Sequence, residues 1–189
     1  MFKRIILGSI IATTMTGGYA AESGTYVNAA VGFANIQNWW SAGTALTVNA
    51  GYNFNPYFAA EAGVTWISPI TSQYNSGSGL SGNYSQNQSF GDIAVKGTLP
   101  LSNIFDAYAK IGIGVGYSSS SINMNNGLTN YNWNGANSGW NTGMYMALGG
   151  EFKLGQHWGL TFEDYGMMPF VGNSWGNINV FGVGGKYNF

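Results

Sequence analysis

From about residue 25 onward, apolar and polar side chains alternate one by one. Leu46, Val48, Ala50, Tyr52 and Phe54 share one face of a segment whose other face carries Thr47, Asn49, Gly51 and Asn53. A period of two is the signature of a β-strand with two different environments on its two sides. Asn55-Pro56 is a turn signal, and Phe58, Ala60, Ala62, Val64 and Trp66 then alternate with Ala59, Glu61, Gly63 and Thr65. The pair reads as a hairpin.

The same period predicts a strand near 25–33, with Val27, Ala29, Val31 and Phe33 outward, and another near 90–100, with Ile93, Val95 and Leu99 outward. The longest strict alternation runs over 106–117. There Ala107, Ala109, Ile111, Ile113, Val115 and Tyr117 face one way, and Tyr108, Lys110, Gly112, Gly114 and Gly116 the other. A sixth strand is expected near 142–154 (Met144, Met146, Leu148, Phe152, Leu154), followed by a Gly155-Gln156-His157 turn. A seventh begins with Trp158, Leu160 and Phe162, and an eighth ends as Phe181, Val183, Gly185, Tyr187 and Phe189. Long polar connections fall at 34–43, 68–89, 118–141 and 166–176, alternating with short turns. The predicted fold is all-β: an eight-stranded antiparallel up-and-down transmembrane β-barrel, with lipid on the apolar face, periplasmic termini and extracellular long loops. Asp164 interrupts the outward pattern and Ile178 and Val180 fall inward, so a membrane boundary or a bulge is expected there.

Composition supports this reading. Only 7% of residues are charged while 16% are aromatic, yet the mean hydropathy is −0.02. The chain thus has too few charges for an ordinary soluble surface and is too polar for a bundle of apolar membrane helices. At the start, Phe2, Lys3 and Arg4 precede the apolar run Ile5 to Ile11, and Gly18-Tyr19-Ala20 has the small residues of a cleavage site. The expected organisation is a signal peptide over 1–20 and a barrel domain over 21–189, targeted to the bacterial outer membrane.

Removal of Lys3 and Arg4 with the leader leaves four lysines against seven carboxylates, a formal charge of −3. That provides no basic patch for nucleic acid. There is no Cys, so thiol catalysis and Cys-ligated zinc are excluded. The single histidine, His157, sits in a predicted periplasmic turn, where it cannot join a Ser or Asp at the outer face. The expectation is a protein that is not an enzyme and has no cofactor or metal site. Gly112, Gly114 and Gly116 lie within an alternating strand rather than before a helix, and Gly184-Gly185-Lys186 lacks the rest of a phosphate-binding loop.

The strand parity turns Glu61, Lys96, Lys110, Glu151 and Glu163 inward as one layer, with Lys153 and Lys186 lower and Asp92 higher. Mixed signs suggest a paired network, because unpaired charges inside so narrow a barrel are expensive. It is expected to be either a structural plug or a narrow gate whose pairs exchange to pass ions, with the interior glycines leaving room.

The runs Gly51-Tyr52-Asn53-Phe54-Asn55-Pro56-Tyr57-Phe58-Ala59-Ala60-Glu61 and Tyr108-Ala109-Lys110-Ile111-Gly112, with the ending Gly184-Gly185-Lys186-Tyr187-Asn188-Phe189, resemble the transmembrane domain of OmpA and its relatives among small outer-membrane barrels. The resemblance implies that Phe181, Val183, Tyr187 and Phe189 form the signal read by the barrel-assembly machinery. The chain stops at Phe189, so the periplasmic peptidoglycan-binding domain of two-domain relatives, and wall anchoring with it, is not expected.

None of the four long connections contains Asp, Glu, Lys, Arg or His. They are Asn, Ser, Gly, Gln and Thr interrupted by aromatics, among them Trp39, Trp40, Tyr74, Tyr84, Tyr131, Trp133, Trp140, Phe170 and Trp175. This is the composition of adaptable binding loops, and also of an aromatic girdle at the lipid headgroups. Trp39, Trp40, Tyr131 and Trp133 are the candidate binding residues. Two functions are expected from different classes: an adhesin-like surface protein contacting a glycan or a host surface protein from an anchor in outer-membrane lipid and lipopolysaccharide, and a small porin-like pore.

Overall fold

The structure, a computed structural model, describes residues 23–36, 42–76, 80–126, 131–170 and 177–189. The proposed signal peptide and Trp39, Trp40 and Trp175 lie outside the described residues. Eight strands follow one another in a closed antiparallel barrel: β1 (Gly24–Ile36), β2 (Ala42–Asn53), β3 (Phe58–Ser76), β4 (Leu80–Pro100), β5 (Phe105–Asn126), β6 (Tyr131–Lys153), β7 (Trp158–Pro169) and β8 (Ile178–Asn188). Closure by β1 against β8 removes any free edge over the paired span.

Following the register once around from Gly24, through Asn53, Ala59, Lys96, Lys110, Ala147, Tyr165 and Val180, returns to β1 at Ala34, ten residues along. Eight strands with that stagger tilt by about 40° and enclose an interior just wide enough for side chains to fill. The outward positions form the apolar face expected from the alternation: Val31, Phe33, Ile93, Ile111, Leu148 and Phe181 are all exposed.

One rim carries the three tight turns. Asn55 Oδ1 accepts from the backbone N–H of Tyr57 and of Phe58, and Leu154 N donates to Trp158 O across a turn in which Gly155 adopts φ 141°. A side chain at 155 would be strained there. Aromatics ring this turn rim: Phe105 lies 4.8 Å from Phe152, Trp158 4.9 Å from Tyr187, and Tyr187 5.2 Å from Phe189, centroid to centroid.

The opposite rim departs from the sequence reading. The connections expected at 68–89 and 118–141 are mostly strand, since β3 runs to Ser76, β4 starts at Leu80, β5 runs to Asn126 and β6 starts at Tyr131. Backbone pairing continues from Ser89 opposite Tyr117 through Leu80 opposite Asn126 although most of the residues are Ser, Asn, Gly and Gln. Outside lipid a ladder needs no apolar face, so alternation disappears while the strand does not. The expectations at 34–43 and 166–176 also shorten, to ends at Ile36, Ala42, Pro169 and Ile178.

Of the two expectations near Asp164 the bulge is not there: β7 and β8 pair in unbroken register from Trp158 opposite Tyr187 to Met167 opposite Ile178. Asp164 is exposed on the outward face, and Ile178 and Val180 are fully buried inside. The register shift lies elsewhere, between Ile67 and Ile70 of β3, where Pro69 has no N–H to give the ladder.

Candidate functional site: a paired lumen beneath an uncharged wall

All four lysines of the described residues point into the lumen, with five of their six carboxylates. Nearest the turn rim, Lys153 pairs with Asp106 at 2.9 Å. Above it, Lys186 Nζ holds Glu151 Oε2 at 2.8 Å, and Lys96 lies 3.9 Å from the same oxygen. Higher again, Lys110 pairs with Glu61 and, at 2.7 Å, with Glu163. The six residues Glu61, Lys96, Lys110, Glu151, Glu163 and Lys186 are each at least nine-tenths buried. Rather than one layer they form two clusters, with Lys96 set between them over the Tyr108 ring at 4.0 Å.

Tyrosines complete the network. Tyr26 donates to Glu61 at 2.7 Å and Tyr145 to Glu163 at 3.2 Å, while Lys186 lies 4.5 Å from the centre of the Tyr26 ring. Such donors and ring faces stabilise charges that water no longer reaches. Sequence parity alone reveals that these tyrosines face inward, but not which ions they touch. Asp106, outside the expected set, has the same parity as Tyr108 and Lys110 on β5 and joins them inside.

Above the ions the lumen changes character. Thr47, Thr65 and Tyr165 share hydroxyl hydrogen bonds, Thr47 to Thr65 at 2.9 Å. Beyond them Ile67, Phe90, Met167, Ile178 and Val180, with Ala34 and Ala45, make an apolar layer. The room beside Gly114 is filled by Met167, whose Sδ stands 2.9 Å from where a Cβ would sit, and a Cβ at Gly112 would collide with the backbone of Ile93 and Ala94.

Past this layer four strands rise beyond their neighbours. The upper parts of β3, β4, β5 and β6 stay paired, whereas β1, β2, β7 and β8 end near the rim. On β5 the wall continues past Val115, the last aliphatic side chain of its lipid face, to Asn126, which carries it roughly 25 Å further. Residues 67–91 and 115–143 contain no charged side chain. Trp140 is 75% exposed on the outer surface with Tyr117 at 5.1 Å, and Tyr131 and Trp133 open β6 near the wall's tip. At its base Gln88 is buried and neither of its amide atoms has a partner.

His157 lies in the turn between β6 and β7, its ring stacked 5.7 Å from Tyr187 and its Nδ1 2.9 Å from Asn188 O. Phe181, Val183, Tyr187 and Phe189 all take the outward face of β8 and its end.

An alternating apolar belt around a filled eight-stranded barrel has its counterpart in the outer membrane protein beta-barrel domain, whose family model matches residues 5–189. The chain belongs to that family. The outer-membrane barrel has similar folds among solved structures at very low sequence identity. Ail of Yersinia pestis, in complex with the heparin analogue sucrose octasulfate, is 10% identical with a TM-score of 0.56 over 88% of this chain and 97% of its own. OprG of Pseudomonas aeruginosa is 13% identical with a TM-score of 0.55 over 91% and 98%. The N-terminal barrel of OprF from the same organism is 9% identical with a TM-score of 0.54 over 89% and 100%. No curated protein matches the sequence.

Proposed function

We propose that this outer-membrane barrel is a surface-binding protein: its termini and tight turns face the periplasm, and its four-stranded wall stands outside the cell, where it contacts a neutral glycan or a host surface protein. The observation that carries the reading is the wall itself, long, hydrogen-bonded and free of charge over 67–91 and 115–143. Aromatic rings offer flat apolar area at little entropic cost, and Asn, Gln and Ser supply hydrogen bonds around them. A polyanion such as the sulfated sugar bound by Ail would find no Lys or Arg on this wall. The belt sits in outer-membrane lipid and lipopolysaccharide, and the outward residues of β8 serve the assembly machinery. The protein is not an enzyme in this reading, with its only histidine at the rim opposite the wall.

The test is replacement of Tyr131 and Trp133 together by Ala, assayed for binding to host cells and to a glycan array. Loss of two aromatic anchors should weaken binding by about tenfold or more while the barrel keeps its heat-modifiable mobility on gels. Unchanged binding removes the reading.

A pore is the second reading. One observation favours it: Glu151 Oε2 has two lysines within reach, so its pairing can be exchanged. Discrete conductance in planar bilayers that changes in Lys110→Ala and Glu61→Ala would establish it.

A further inference from the structure

We propose that the lumen binds one small monovalent cation, held between the Asp92 carboxylate and the side-chain oxygen of Asn49 over Gly63. Two independent observations converge on this place. The first is charge. Glu61, Asp92, Asp106, Glu151 and Glu163 face inward against Lys96, Lys110, Lys153 and Lys186, which leaves one negative charge in excess among the described residues. The ion pairs identify the carboxylate in excess. Asp106 takes Lys153, Glu151 takes Lys186, and Glu61 and Glu163 share Lys110, so Asp92 has no ammonium. A buried charge without a partner is among the most expensive features a fold can carry.

The second observation is geometric. Asn49, Gly63 and Asp92 are successive cross-strand neighbours on β2, β3 and β4, all on the lumen face. Gly63 contributes no side chain, so the other two can reach over it. Asn49 Oδ1 occupies the volume that a Cβ on Gly63 would need, and Asp92 Oδ1 stands 3.1 Å from that position. Asn49 is 2% and Asp92 7% exposed, and Asn49 Oδ1 and both Asp92 oxygens lack any hydrogen-bond donor. Acceptor oxygens of two buried side chains gathered over one glycine without a donor call for a positive ligand. An alkali ion matches the single surplus charge and accepts carboxylate, amide oxygen and water together. A divalent ion would overcompensate the charge, and no group of three or more His, Cys, Asp or Glu side chains among the described residues could hold one.

The folded barrel in micelles, at mildly alkaline pH, tests this. Its thermal unfolding midpoint should stand several degrees higher in sodium chloride than in choline chloride of equal ionic strength, and should rise with sodium concentration as mass action requires. In Asp92→Asn, which keeps the shape and removes the charge, that difference should disappear. Crystals grown in rubidium should show an anomalous peak between Asn49 and Asp92. A protonated Asp92 would overturn the proposal; it would appear in sodium as a carboxylic acid carbonyl band in the infrared that Asp92→Asn lacks. Wild-type midpoints indifferent to the cation would overturn it too, whether or not the variant folds.

Discussion

Lys110 on β5 places its Nζ 2.7 Å from Glu163 Oε2 on β7, reaching over the whole width of β6. The reach is possible because β6 puts Ala147 opposite Lys110 and Gly149 opposite Glu163, so β6 itself adds no large side chain between them. The same ammonium also holds Glu61 on β3. One side chain thus ties together three strands, none of which neighbours another.

Removing it should therefore be costly. Lys110→Ala strands Glu61 and Glu163 as buried carboxylates, and truncating one member of a buried pair typically costs about 3–5 kcal/mol. Urea unfolding of the barrel in lipid vesicles should show this loss. Adding Glu61→Gln and Glu163→Gln to Lys110→Met should recover most of it, since the charges then leave together.

Lys186 should behave differently. Lys96 lies 3.9 Å from the Glu151 oxygen that Lys186 holds, so Lys186→Ala leaves a substitute cation at hand. The expected loss is about 1–2 kcal/mol, the scale of one charged hydrogen bond. A double-mutant cycle with Lys96→Ala should give a loss larger than the two single losses combined. Additive losses would mean that Lys96 does not take over.

The two lumen clusters show how far the sequence can be read. Every inward charge is legible from parity, Asp106 included through the parity it shares with Tyr108 and Lys110, because alternation fixes which side of a strand a residue faces. Which lysine meets which carboxylate was not legible. That depends on the ten-residue stagger around the barrel, and no single strand carries it. The upper halves of β5 and β6 were hidden for another reason: Ser118 to Ser121 pair with Gly139 to Ala136 through backbone groups that every residue possesses. Ile178 and Val180, by contrast, were placed on the correct side, but the apolar layer they join is visible only when β1, β3, β4 and β7 are added.

That layer makes the lumen's closure testable. Met167 is completely buried beside Phe90, and its sulfur fills the recess at Gly114. Met167→Ala should destabilise the barrel by about 2–5 kcal/mol, as large-to-small core changes do. If the layer is what seals the lumen, the wild type in planar bilayers should be silent and Met167→Ala combined with Phe90→Ala should conduct. Equal conductance in both would place the seal elsewhere.

Asp164 carries the last prediction. It faces outward on β7, between Leu148 of β6 and Phe181 of β8, six residues above Trp158 at the turn rim. With about 2.4 Å of rise per tilted residue it stands about 15 Å up an apolar belt roughly 25 Å tall, near the middle of the bilayer. No lysine of the described residues is on that face, so among the described residues no cation faces the carboxylate. A lipid-facing carboxylate at such depth is unfavourable, though by less than Arg or Lys would be. Asp164→Leu should stabilise the barrel in vesicles by about 1–2 kcal/mol, and Asp164→Asn by part of that. In micelles, where water reaches the belt more easily, the gain should shrink. A variant no more stable than wild type in vesicles would mean that Asp164 already has a partner in the membrane, and a second polypeptide would then be the place to look for it.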